Sequence, residues 1–234
     1  MDINGNMVCV IPARGKSKGI VNKNIREVNK KPLIYYSIRE ALKSNIFERI
    51  IVSTDSEKIA KIARDCGAEV PFIRPSSLAT DESLVQDTLC HTLKYLEKND
   101  KKYNYVCLVQ ATSPLILHSD IIEAWNLLHK KNGDMVISVS PIQYNSYLIG
   151  TLEEDLSMKN FITAYGTRRQ DFEEKYILNG SIYMGKGDIF YYKKDYYKCC
   201  TYAYIMPYGR HIDIDSFIDL EIASFLLEKR ECGK

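Results

Sequence analysis

A three-layer α/β fold, a mainly parallel twisted sheet with helices on both faces, is what this sequence predicts. Three observations carry that reading. Short apolar runs rich in β-branched residues alternate with longer segments of helical period. The runs are continuously apolar rather than alternating, as expected of strands covered on both faces. The first run ends in a glycine-containing basic loop, and open parallel sheets bind ligands beyond the carboxyl ends of their strands. A chain of 234 residues with 45% hydrophobic and 26% charged residues suits one globular domain spanning 1–234.

The elements follow in order. Val8–Ile11 is the first strand, followed by the loop and a helix over Leu33–Leu42. Ile50–Ser53 is the second strand, and Ser56 caps a helix over Glu57–Cys66. Helical periods at Val85–Leu96 and Ile121–Leu128 flank a strand at Val106–Val109, with Ser119 as the expected cap of the second helix. Met135–Val139 is a further strand. The last helix runs from about Ser216 to Glu228, with Phe217, Leu220, Ile222, Phe225 and Leu226 as its expected buried side. Between Pro141 and Glu174 the alternation breaks. That stretch is long for a plain loop, so residues 141–174 read as an excursion from the sheet, a lid or an oligomerisation arm.

Composition excludes several function classes. Lysine plus arginine total 32 against 30 aspartate plus glutamate, and a net charge of +2 gives no electrostatic reason to bind nucleic acid or a membrane surface. No apolar run approaches the ~20 residues that span a bilayer, and the first residues lack the basic and apolar regions of a signal peptide. The 7 cysteines form no C-x-x-C pair, which argues against a zinc ribbon or a dithiol redox motif. Reduced thiols and a cytoplasmic location are the expectation. The four histidines show no ligand spacing.

The loop Pro12-Ala13-Arg14-Gly15-Lys16-Ser17-Lys18-Gly19, continuing to Lys23-Asn24, carries the chemistry. Glycines let backbone amides approach phosphate oxygens, and Arg14, Lys16, Lys18 and Lys23 offset their charge, so a triphosphate fits. Gly15-Lys16-Ser17 mimics the end of a Walker A loop, but that motif needs glycine where Val10 stands. A dinucleotide fingerprint fails as well, with only Gly15 and Gly19 present. Near the C-terminus, Asp213 and Asp215 stand two apart in an apolar setting. If that segment is extended, both carboxylates share a face, a pair of hard ligands suited to Mg²⁺.

The segment Ile11-Pro12-Ala13-Arg14-Gly15-x-Ser17-Lys18-Gly19-Ile20-x-x-Lys23-Asn24-Ile25 resembles the signature loop of the acylneuraminate cytidylyltransferases, the CMP–sialic acid synthetase family. Further segments match in the same order. They are Ile51–Asp55, Arg74-Pro75, Leu78–Asp81, Leu108–Leu115, Arg168–Gln170, Asn179–Tyr183 and Ile212–Asp215. The resemblance runs through nearly the whole chain. It implies a Rossmann-like nucleotidyltransferase fold that moves CMP from CTP to the anomeric hydroxyl of a nine-carbon 2-keto sugar acid of sialic or legionaminic type, releasing pyrophosphate.

The resemblance also implies roles. Arg14, Lys23, Asp213 and Asp215 are the catalytic set, with the two aspartates on Mg²⁺ or Mn²⁺. Ala13, Arg14, Gly15, Lys23, Asn24, Arg74 and Ser83 bind the nucleotide, and Gln110, Arg169 and Asn179 the sugar. A homodimer, with the 141–174 excursion completing the partner's site, is implied too. The chain departs from the family at Lys16, in place of a second glycine, and at Val21-Asn22. It also lacks, across Gln143–Leu152, the lysine or arginine that sialate-specific members carry for the sugar carboxylate. Two alternatives stand beside the main reading: an eight-carbon 3-deoxy-octulosonate cytidylyltransferase, whose usual loop differs from this one, and a non-catalytic nucleotide-binding homologue. The tyrosines are uneven. Of 17, most lie beyond residue 143, where the resemblance puts the arm and the sugar, with Tyr191-Tyr192 near an expected acyl-group contact.

Overall fold

The apolar runs become strands of one sheet because every residue from Met7 to Ile11 is buried and successive side chains face opposite layers. In the computed structural model, residues 6–17, 19–142, 149–159, 161 and 174–232 are described. Their elements are β1 (Met7–Pro12), β2 (Glu27–Val28), β3 (Lys31–Pro32), α1 (Leu33–Ser44), β4 (Arg49–Ser53), α2 (Glu57–Asp65), α3 (Val85–Asn99), β5 (Tyr105–Val109), α4 (His118–Lys130), β6 (Met135–Pro141), β7 (Tyr176–Lys186), α5 (Gly187–Tyr191), β8 (Thr201–Ile205) and α6 (Phe217–Glu231).

The main sheet has the order β4-β1-β5-β7-β6-β8. β1 pairs in parallel with β4 and β5, and β6 with β8. β7 lies antiparallel to both β5 and β6. The sheet is therefore mixed but mainly parallel, as expected. Met7, Cys9 and Ile11 pack with Ile34, Ile38, Ile59, Ala63, Ile121 and Leu128, so α1, α2 and α4 cover one face. Val8 and Val10 pack with Leu89, Leu93, Leu96, Ile189 and Phe190, so α3 and α5 cover the other. This gives the three layers.

Local signals explain the helix ends. The Ser56 hydroxyl accepts from the Ile59 amide at 3.4 Å and starts α2. Ser216 and Asp219 cap α6 reciprocally: Asp219 N–H donates to Ser216 Oγ at 3.4 Å and Ser216 N–H to Asp219 Oδ2 at 2.7 Å. Ser119 is not the cap of α4. Asp120 takes the Leu117 amide at 2.9 Å, and the helix begins a residue before Ser119, at His118.

The expected buried side of α6 also needs correction. Leu220, Ala223 and Leu227 are buried against Ile20, Val28, Leu33 and Tyr36, and Leu226 packs at their edge. Phe217, Ile222 and Phe225 are exposed. The apolar residues of this helix are not confined to one face, so periodicity left the choice open, and the i, i+3, i+7 spacing of 220, 223 and 227 is the one used.

The topology gathers the active edge. β1, β4, β5, β6 and β8 run the same way, so the loops after them and the start of β7 lie on one side of the sheet. No helix among the described residues is long and apolar enough to cross a membrane. All seven cysteines are free thiols.

Candidate active site

The loop after β1 is stitched down from both sides. Ala13 N–H donates to the Ser53 carbonyl at 2.9 Å, extending the β1–β4 ladder past the strand end. Gly15 N–H donates to Asp55 Oδ1 at 2.8 Å. The buried Asn24 sends its Nδ2 to the Arg14 carbonyl at 2.9 Å. The chain can turn back to place Asn24 there because Asn22 takes a left-handed conformation, φ 56°, which asparagine tolerates. Lys16 lies outside the positive-φ region, so its side chain costs the loop no strain.

The loop is one wall of a cavity of about 370 Å³. Arg14, Lys23, Asn24, Arg74, Ser83, Gln110, Asp213 and Asp215 all line it. Residues far apart in sequence thus meet at one cavity. Ala13 and Gly15 lie behind this wall, holding the loop in place through the hydrogen bonds above.

Arg14 reaches across the cavity mouth to the Thr80 carbonyl and Asp81 Oδ1, both at 2.9 Å. Ser83 shapes that opposite wall. Its Oγ accepts from the Thr80 amide at 3.1 Å and donates to the Ser77 carbonyl at 3.2 Å. Lys23 bonds the Ile214 carbonyl at 2.6 Å and Asp215 Oδ1 at 2.8 Å. It ties the first loop to the Asp213–Asp215 segment. Arg74 is buried at 4% exposure, donates to Thr88 Oγ1 at 2.9 Å and faces Asp55 at 3.8 Å. Burial pulls its guanidinium below the usual range, Arg14 adds to that, and Asp55 opposes it.

The aspartate pair sits outside any strand, yet both residues line the cavity. The Ile214 amide is held by the Thr112 carbonyl at 2.9 Å. Ile214 is fully buried, while Asp215 is exposed. Burial pushes the Asp213 carboxyl up, against a hydrogen bond from Thr112. Its Oδ1 is buried without a partner. An orphaned carboxylate oxygen beside a second carboxylate fits a divalent ion completed by phosphate oxygens and water. Among the described residues no group of three or more acidic, histidine or cysteine side chains forms a cage.

Two further cavities adjoin. One of about 370 Å³ is lined by Asn179, Gly180, Tyr183, His211, Asp213 and Asp219. The other, about 330 Å³ and mostly apolar, is lined by Leu84, Val85, Leu89, Leu108, Tyr183, Tyr196 and Tyr197, with Gln86 and Gln110. Gln110 joins it to the first cavity. Gly180 lets β7 approach that side chain, since φ is +72° and an added Cβ would stand 3.0 Å from Gln110 Nε2. Asn179 is saturated within the protein: Oδ1 accepts from Ser138 Oγ at 2.5 Å and Ser181 N–H at 3.1 Å, and Nδ2 donates to Ser140 Oγ at 2.9 Å. Its side chain shapes the cavity wall.

Arg169 and most of the 141–174 excursion, with Tyr144, Tyr147 and Tyr165, lie outside the described residues. Tyr191-Tyr192 do not face these cavities. Tyr191 is buried under α3, where its hydroxyl accepts from the Tyr103 amide at 3.2 Å. Tyr196 and Tyr197, beyond the short α5, are the tyrosines of this stretch that line the apolar cavity. Asp55 and Asp81 were missed as site residues. Each stands in a recognisable segment, but only the fold brings it to Arg14 and Gly15.

Comparison with known proteins identifies the family and the fold. Residues 8–223 match the family model described as Cytidylyltransferase. A CMP-N,N'-diacetyllegionaminic acid synthase of Legionella pneumophila is 36% identical over 229 residues, covering 95% of this chain and 96% of that protein. A pseudaminic acid cytidylyltransferase of Campylobacter jejuni is 31% identical, covering 94% and 95%. Among solved structures, a CMP:2-keto-3-deoxy-manno-octonic acid synthetase complexed with CTP superposes with a TM-score of 0.72 at 15% identity, over 96% of this chain and 99% of that one, which shows a shared fold. With the family model spanning most of the sequence and its relatives matching end to end, this chain belongs to the cytidylyltransferase family of nucleotidyltransferases.

Proposed function

We propose that the protein transfers CMP from CTP to the anomeric hydroxyl of a nonulosonic acid, a nine-carbon 2-keto sugar acid, and releases pyrophosphate. The observation that carries this is the convergence of Arg14, Lys23, Asp213 and Asp215 on one cavity at the carboxyl edge of β1 and β5. Support also comes from two relatives, matched over their full length, named for nonulosonic acids. An eight-carbon substrate has weaker support, since the octonic acid synthetase is alike only in fold.

The sugar oxygen displaces pyrophosphate at the α-phosphorus, so negative charge gathers on the phosphates as the reaction proceeds. Arg14 exchanges Thr80 and Asp81 for phosphate oxygens with its planar donor fork. Lys23 holds its ammonium beside Asp215 and turns it toward the same oxygens. Both cations stand at the cavity wall before substrate arrives and re-aim locally to meet the charge that develops on the phosphates. Asp213 and Asp215 would hold Mg²⁺ or Mn²⁺, which when bound neutralises phosphate charge. Gln110 orients the sugar between the cavities. The apolar cavity of Tyr183, Tyr196 and Tyr197 takes an acyl group of the sugar, its rings offering apolar faces with polar tips. A homodimer in the cytoplasm, where CTP is made, is the setting we propose, with the 141–174 excursion as its arm.

The test is pyrophosphate release from CTP with sialic, legionaminic and pseudaminic acids and 3-deoxy-octulosonate. Release with at least one nine-carbon acid, far above the eight-carbon acid, is expected. Turnover with the octulosonate alone, or CTP binding with no turnover on any acid, would replace this reading with one of the alternatives.

A further inference from the structure

A phosphate-binding loop is useful only if its cation is held where the triphosphate arrives, and short loops rich in glycine do not hold themselves. Here the loop after β1 leans on one side chain from the end of β4. Asp55 Oδ1 accepts the Gly15 amide at 2.8 Å, and the same oxygen lies 3.8 Å from the Arg74 guanidinium. One carboxylate oxygen therefore joins the backbone next to Arg14 to a buried arginine that lines the nucleotide cavity.

The surroundings make this junction specific. Arg74 is fixed by its backbone amide on the Thr54 carbonyl at 2.7 Å and by its NH1 on Thr88 Oγ1 at 2.9 Å. Asp55 itself follows Thr54 directly. The loop must come close to reach it: a Cβ on Gly15 would stand 3.1 Å from Ser56 Cβ and 3.6 Å from Asp55 Oδ2. Gly15 is thus needed for approach to the 54–56 turn, and its φ is not positive. Its amide, being taken by Asp55, is not a phosphate donor in this arrangement. The cation of Arg14 is what the loop presents.

We infer that Asp55 is the positioning residue of the nucleotide site, locking the Arg14–Gly15 backbone onto Arg74 so that both arginines present one fixed surface to CTP. The inference rests on the cytidylyltransferase reading for its kinetic readout, and direct CTP binding tests it without that reading. Asp55 does not itself line the cavity of Arg14, Lys23 and Arg74. Its loss leaves a buried arginine without its nearest carboxylate and a loop amide without an acceptor.

The experiment compares Asp55→Ala and Asp55→Asn with the wild type in the full-length protein, using calorimetric CTP binding, steady-state kinetics and thermal unfolding. Asp55→Ala removes the loop bond and the charge, so its Kd and KM for CTP rise about 10-fold to 100-fold, as expected for one hydrogen bond to a charged acceptor. Its KM for the sugar stays unchanged. Asp55→Asn keeps an acceptor for Gly15 and is expected to recover most of the CTP affinity, which a merely electrostatic or merely structural role would not produce. If Asp55→Ala fails to fold, Asp55→Asn decides: CTP affinity close to wild type supports the inference, and a loss of more than about 100-fold in that folded variant overturns it. CTP affinity within twofold of wild type in Asp55→Ala, or equal losses for CTP and sugar in the folded variant, overturns the inference. Absence of turnover in the wild type would instead count against the proposed function, and the binding arm still decides on Asp55.

Discussion

Lys23→Met severs the link between the two halves of the site, and its cost can be worked from the contacts. Lys23 makes two bonds, to the Ile214 carbonyl at 2.6 Å and to Asp215 Oδ1 at 2.8 Å. The Asp215 side chain is 78% exposed, so that ion pair contributes no more than about 1 kcal/mol and is screened by salt. The Ile214 bond is different. The lysine is only 16% exposed there and Ile214 is fully buried, so an ionic hydrogen bond of about 2 kcal/mol is lost with little water to replace it. The total, about 3 kcal/mol, lowers the Tm of a domain this size by about 6–12 °C. Asp215→Asn keeps the Ile214 bond and should lower it by no more than about 4 °C. Scanning calorimetry at low and high salt separates the two terms, because only the Asp215 part shrinks with salt. Equal losses in the two variants, or a loss in Lys23→Met that high salt abolishes, would refute the reasoning.

Other expectations follow from the same contacts. Asp213→Asn and Asp215→Asn should each reduce pyrophosphate release by at least about 100-fold, and circular dichroism should show both folded, since Asp213 Oδ1 has no partner to lose. Tyr204→Phe removes a hydroxyl that donates to the fully buried Asp120 at 2.8 Å and also bonds Glu123 at 2.9 Å. Asp120 keeps Arg210 at 2.6 Å, so the loss measured by urea unfolding should stay near 1–2 kcal/mol, about one hydrogen bond. Glu40 should make stability acid-sensitive. Burial pushes its carboxyl up, but the His118 ring and amide, Arg39 and Lys43 outweigh burial and hold it below the ordinary range. A depressed carboxyl stabilises the fold above its unfolded pKa and loses that contribution as pH falls through the folded value. The Tm gap between wild type and Glu40→Gln should be full at neutral pH and close at acid pH.

The strands β1, β4, β5 and β6 were legible because they are continuous apolar runs, the pattern that burial on both faces imposes. β7 was not. Its first three residues are exposed, it carries Asn179, Gly180 and Ser181 in the middle, and Gly180 adopts a positive φ, so no run or alternation marks it. Its antiparallel place between β5 and β6 is set by pairing across the sheet, which no local pattern reports. The site divided in the same way. Arg14, Lys23, Asn24 and the aspartate pair belong to motifs whose spacing is readable in one dimension. The contacts of Asp55 with Gly15 and of Asp81 with Arg14 join segments that only the fold brings together. Tyr196 and Tyr197 line the apolar cavity while α5 turns Tyr191 into the core, and a row of tyrosines has no periodicity to tell such placements apart.

The most direct measurement is pyrophosphate release by the wild-type protein with Mg²⁺, CTP and one nonulosonic acid at a time, with UTP and ATP as controls. Release is expected with CTP and at least one nine-carbon acid, with a product in which CMP is joined to the anomeric oxygen. Release without any sugar acid, equal rates with ATP, or turnover only with an eight-carbon acid would contradict it.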